Sequence, residues 1–139
     1  MKKLFLLLAI LLPLSLSFVS CSSNDDPEKT ELSESDLALL QGTWDVTKIE
    51  EYTLPGERKV MIKGDKLDVF QKLPSDVNFE EVESYTFKAT GMVLILSNYY
   101  TDEVEATIEI LSLSSSKGKV KVTDLAYGYG SYTMHLKKN

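Results

Sequence analysis

From residue 43 onward, apolar and polar positions alternate in short runs broken by turn residues, the period-two signature of strands buried on one face. The clearest run is Glu103–Leu113, where Val104, Ala106, Ile108 and Ile110 oppose Glu105, Thr107 and Glu109. Lys119–Thr123 places Val120 and Val122 against Lys119 and Lys121, and Ser131–Lys137 places Tyr132, Met134 and Leu136 against Thr133, His135 and Lys137. Thr43–Tyr52 alternates through Trp44, Val46 and Lys48 and slips phase at Ile49, which predicts a bulge or sharp bend. Lys59–Lys63, Leu67–Gln71, Val82–Lys88 and Met92–Ser97 complete eight predicted strands. Pro55-Gly56-Glu57, Gly64-Asp65-Lys66, Ala89-Thr90-Gly91 and Gly128-Tyr129-Gly130 supply turn chemistry. One helix is predicted before the strands: Ser33 with Asp36 three residues on, or Ser35 as an alternative cap, starts it, Leu37 and Leu40 share a face, and Gly42 can stop it. The fold class is therefore all-β. Eight short antiparallel strands suit a small closed barrel or a β-sandwich, and closure has the advantage of removing edge strands.

The first 20 residues have a different character. Met1-Lys2-Lys3 is a short basic start, and Leu4–Leu16 is almost wholly apolar but short of the roughly 20 residues a membrane span needs. Small residues follow it, as in a secretion signal. Ser17-Phe18-Val19-Ser20-Cys21 resembles a bacterial lipobox, which implies cleavage before Cys21 and acylation of that residue. Several acyl chains on one residue give a near-permanent membrane anchor. Residues 21–35 are polar and acidic, with Leu32 the one larger apolar residue, and are expected to be a flexible tether. The acidic group after Cys21 resembles the export signal of surface-exposed Bacteroidetes lipoproteins, which implies an outer-membrane, lipid-anchored protein. Residues 36–139 then form one folded domain.

Leu40-Gln41-Gly42-Thr43-Trp44 resembles the opening of lipocalin-like domains, whose first strand carries Gly-x-Trp. The small lipocalin-like lipoproteins of Bacteroidetes look most similar, since they place this motif after a lipobox, a polar tether and a short helix. Tyr85–Gly91 and Tyr132–Lys138 resemble their middle hairpin and closing strand. The resemblance implies an eight-stranded lipocalin-like β-barrel with Trp44 plugging the closed end against the helix and Gly42 passing close to the indole. Larger lipocalins cover that tryptophan with an arginine near the last strand. The one arginine here, Arg58, is elsewhere, leaving Lys137 or Lys138 as a substitute.

Composition narrows the chemistry. The 139 residues carry a formal charge of −6, and losing Lys2 and Lys3 with the leader takes it to −8. No basic cluster is present, which excludes nucleic acid as a partner. One cysteine excludes an internal disulfide, and one histidine excludes a histidine-rich metal site. His135 has no nucleophile motif to serve, and Glu80-Glu81-x-Glu83 and Asp102-Glu103-x-Glu105 read as solvated charge rather than a catalytic pair or an EF-hand loop. No cofactor, no metal and no enzymatic activity are expected.

Binding is the stronger expectation. Tyr99, Tyr100, Tyr127 and Tyr129 fall in loops, where rigid rings with polar tips suit a ligand rim. Met92, Leu94 and Ile108 are expected to form apolar walls beneath them. The alternative is a filled barrel that docks to another envelope protein. Nine large inward candidates (Trp44, Phe70, Tyr85, Phe87, Met92, Leu94, Ile108, Tyr132 and Met134) could occupy the whole interior. An apolar cavity above about 300 Å³ would decide for a small apolar or amphipathic ligand. The acidic balance points to a neutral one unless a cation converges locally.

Overall fold

The computed structural model describes residues 30–139; Cys21 and the leader lie outside them. One helix, α1 (Glu34–Leu40), precedes eight strands: β1 (Gly42–Ile49), β2 (Glu57–Lys63), β3 (Lys66–Lys72), β4 (Glu80–Thr90), β5 (Val93–Asn98), β6 (Val104–Leu113), β7 (Lys117–Asp124) and β8 (Gly130–Lys138). The strands pair in sequence order, all antiparallel, and β8 returns to β1 through Trp44–Lys138, Val46–Leu136 and Ile49–Met134. The sheet is a closed up-and-down barrel of lipocalin-like architecture, and the sandwich alternative is excluded.

Four register shifts help the strands curve to closure. The β1–β8 register shifts between Val46 and Lys48, just before the phase slip at Ile49, and the others lie between Val69 and Phe70 in β3–β4, Leu96 and Ser97 in β5–β6, and Ile110 and Ser112 in β6–β7. A bulge bends its strand and raises the local twist that a small barrel needs. After Ile49 the chain leaves the sheet, so β1 is shorter than the predicted run to Tyr52.

The two ends differ. Tight turns at 64–65, 91–92 and 114–116 gather at the end covered by α1, whereas the longer links 50–56, 73–79, 99–103 and 125–129 gather at the other. Of the two candidate caps, Ser33 rather than Ser35 caps α1, its Oγ accepting the Asp36 N–H while Asp36 Oδ2 accepts the Ser33 N–H at 2.9 Å. Leu32 already belongs to the fold: its N–H donates to the Gly91 carbonyl at 2.9 Å and its side chain packs on the core. The expected tether therefore gives way to ordered structure a few residues before position 36.

Trp44, 1% exposed, closes this end, its indole N–H donating to the Leu40 carbonyl at 2.8 Å. Lys138 takes the covering role. Its ammonium sits 5.0 Å from the centre of the Trp44 ring and donates to the Leu39 carbonyl at 2.7 Å, satisfying an orphan acceptor at the helix C-terminus. Gly42 has φ +118°, and a Cβ there would stand 3.1 Å from Lys138 Cε. A side chain at Gly42 would thus meet the lysine stem. Gln41 adds a clamp to the β2–β3 turn, exchanging two hydrogen bonds with the Gly64 backbone at 2.7 and 3.0 Å.

Candidate binding cavity

Five strands turn buried aliphatic side chains inward: Val60 and Ile62 from β2, Leu67 and Val69 from β3, Leu94 and Leu96 from β5, Ala106, Ile108 and Ile110 from β6, and Val120 and Val122 from β7. These residues are buried, yet they do not fill the barrel. They surround a cavity of about 660 Å³ that runs from the Leu40 end toward the long links. That volume exceeds the 300 Å³ that divides the two expectations and lies within the usual range for small-molecule sites. The reason is residue size. Most of the wall is Val, Ile, Leu and Ala, and a ring of eight strands lined by medium side chains leaves space for one small ligand.

The predicted site residues separate into two groups. Leu94 and Ile108 form the walls, and Tyr127 and Tyr129 stand at the mouth, 73% and 82% exposed with ring centres 6.1 Å apart. Their loop is shaped by Asp124, whose carboxylate accepts the N–H groups of Ala126, Tyr127 and Tyr129 at 2.9, 3.1 and 3.4 Å.

Met92, Tyr99 and Tyr100 lie elsewhere. Met92 is the second residue of the two-residue β4–β5 turn and packs at the helix-covered end, its carbonyl accepting the Ile110 N–H. Tyr99 lies against the outer wall because β5 pairs with only the C-terminal half of β4. Its N–H reaches the Ser84 carbonyl at 3.0 Å and its ring lies 4.7 Å from the Lys66 ammonium. Tyr100 stacks edge-on against it at 5.2 Å and is 80% exposed. Phe70, an inward candidate by pattern, is half-buried and outside the cavity lining because Leu67 and Val69 take the inward phase.

The mouth also contains residues the sequence reading did not select. Tyr52, from the link after β1, meets Tyr132 edge-on at 5.7 Å, and both line the cavity with Glu51, Arg58, Glu83 and Glu105. A signal for two of them was present in the alternation. Arg58 shares the phase of Val60 and Ile62, and Glu83 shares that of Tyr85 and Phe87. Glu51 and Tyr52 follow the strand, where alternation no longer applies.

Burial pushes the Tyr132 hydroxyl up to about 12, and burial followed by the nearby Glu83 carboxylate raises Tyr85 further. Both phenols are neutral donors over the ordinary pH range. The Arg58 Nε is buried without a hydrogen-bond partner.

A larger hollow of about 980 Å³ lies on the outside, between residues 45–54 and Phe79. Asp45, Lys48, Glu50, Glu57 and Lys59 make it largely polar, and Lys59 covers Phe79 at 4.5 Å. It encloses little apolar surface, so the interior cavity is the better ligand site despite its smaller volume. His135 is on the outer wall, 2.8 Å from Glu50, whose carboxyl is held below its usual range first by that hydrogen bond and then by Lys119. Among the described residues no group of three or more His, Cys, Asp or Glu side chains could hold a metal ion. The cavity offers apolar contact, hydrogen bonding and one guanidinium, which are the means of binding.

No protein-family model matches the chain, and no curated protein matches it. Among solved structures, the siderocalin Ex-FABP, described as functioning through dual ligand specificities, is similar at 15% identity with a TM-score of 0.49. That match covers 72% of this chain and 73% of the other. At that distance the likeness says nothing of ligands or residues, and the barrel assignment rests on this chain's own strand order and closure.

Proposed function

We propose that this protein is a lipid-anchored carrier or receptor that holds a small apolar or amphipathic molecule inside its barrel, without catalysis. The observation that carries this reading is the cavity of about 660 Å³ walled by aliphatic side chains and opening among tyrosines. Burying an apolar body there gains roughly 25 cal/mol per Å² removed from water, from the ligand and the wall alike. Ala106 provides the test. It is buried on the wall with only a methyl group, so Ala106→Phe projects a ring into the space. Wild type should take up Nile red or a comparable neutral apolar probe, and Ala106→Phe should lose that uptake while remaining folded. Failure of the wild-type protein to take up any such probe would overturn the reading.

Anchoring is proposed from the leader, the lipobox-like Ser20-Cys21 and the polar stretch after it. Cys21→Ala should shift the protein from the membrane fraction to the soluble one, and mass spectrometry of the wild type should find an acylated N-terminus at Cys21. Cleavage by protease added to intact cells would place the domain on the outer surface of the outer membrane.

A docking role has one specific observation in its favour. Val77, Tyr100, Tyr127 and Tyr129 are each more than 70% exposed, and all belong to links at the same barrel end. Exposed aromatic groups of this kind suit contact with an envelope protein. Loss of a co-purifying protein on Tyr100→Ser with probe uptake unchanged would support this second role.

A further inference from the structure

We propose that the ligand of this barrel carries a single anionic group at one end of an apolar body, and that Arg58 receives it. The proposal rests on the binding role above and specifies the chemistry of its ligand.

Arg58 is the only arginine in the chain and, among the described residues, the only cationic side chain lining the cavity. Strand alternation places it inside: Arg58, Val60 and Ile62 occupy one phase of β2, and Arg58 is the one nearest the mouth. A guanidinium taken out of water needs its donors satisfied, since each buried unpaired donor costs about 1–3 kcal/mol and more when charged. Yet the Arg58 Nε is buried without a partner. Tyr132 lines the same cavity, and its hydroxyl lies within electrostatic reach of Arg58.

Glu51, Glu83, Glu105 and Asp124 also line the mouth, yet among the described residues no hydrogen bond or ion pair joins any of them to Arg58. Glu51 instead accepts the Thr133 N–H at 2.7 Å, Glu105 accepts from Asn98 Nδ2 at 3.0 Å, and Asp124 holds its loop's N–H groups. The Arg58 Nε therefore lacks an acceptor although carboxylates share the mouth. A carboxylate head on the ligand completes it through the charge-assisted, forked geometry that arginine favours. Four carboxylates around one guanidinium also set an upper limit on ligand charge. A dianion such as a phosphate monoester gains the same contact but is repelled by the ring about twice as strongly as a monoanion. The overall acidity had pointed to a neutral ligand, and the local arrangement reverses that expectation.

Three matched probes separate the possibilities: dodecanoate, dodecanol and dodecyl phosphate, titrated at pH 8 into the full-length mature protein and into Arg58→Gln and Arg58→Lys. Dodecanoate should bind wild type about tenfold or more tightly than dodecanol or dodecyl phosphate. Arg58→Gln should abolish that preference, and Arg58→Lys should restore part of it. Because the chain has one arginine, its Nε–H gives a single NMR resonance. That resonance should move downfield with dodecanoate and not with dodecanol, a readout that needs no variant to fold. Equal affinity for acid and alcohol in wild type, or an Arg58→Gln protein that keeps the acid preference, would overturn the assignment while leaving the binding role standing. No uptake of any probe by wild type would overturn both.

Discussion

Replacing Lys138 with Met retains most of the stem that crosses Gly42 and removes only the ammonium. Two interactions disappear. The first is the 2.7 Å hydrogen bond from Nζ to the Leu39 carbonyl, a bond to a charged donor worth about 1.5–3 kcal/mol net. The second is the contact with the Trp44 ring at 5.0 Å, worth about 0.5–1 kcal/mol for a partly exposed pair. Restored packing by the thioether and water reaching the freed carbonyl offset part of the loss, so Lys138→Met should cost about 1–3 kcal/mol in urea unfolding. A double-mutant cycle with Trp44→Leu isolates the ring term. Trp44→Leu alone should cost several kcal/mol, on the order of 3, because the indole is 1% exposed and its N–H satisfies the Leu40 carbonyl. The coupling between the two sites should be about 0.5–1 kcal/mol. Lys138→Met within about 0.3 kcal/mol of wild type would refute the clasp, and zero coupling would refute the cation–π part while leaving the hydrogen bond.

Gly56→Ala should be far more damaging than Gly128→Ala: both glycines have positive φ, but a Cβ at Gly56 would stand 2.1 Å from the Lys72 carbonyl oxygen, while one at Gly128 meets nothing. Thermal unfolding should place Gly128→Ala about 1–2 kcal/mol below wild type, from the left-handed backbone alone, and Gly56→Ala well beyond it. Tyr132 has a folded-state value near 12 against 10.0 for the free phenol, so the unfolded chain loses its proton first as pH rises. Stability should be unaffected by this group below pH 10 and should fall between pH 10 and 12. Tyr132→Phe should flatten that limb in denaturant titrations across the range, and an unchanged alkaline limb would contradict burial of the hydroxyl.

Element identity was legible because it is set locally. Period-two alternation, the Ser33–Asp36 cap and glycine at turns act over a few residues, and the helix and all eight strands follow from them. The burial of Trp44 was legible for the same reason, since its phase matches Val46. What lay beyond the sequence depends on how strands register across the sheet. Tyr99 and Tyr127 look alike as loop tyrosines, yet the offset of β5 along β4 puts one on the outer wall while the β7–β8 link carries the other to the mouth. Lys138 rather than Lys137 covers the indole because β8 pairs Lys138 directly with Trp44. Arg58 reads locally as one charge in a Glu-Arg-Lys run, and only closure of the barrel shuts its Nε away from water. The cavity itself belongs to no residue. It is the space left when eight strands close at a circumference their aliphatic side chains cannot fill, a quantity set by strand number and stagger that no local pattern encodes.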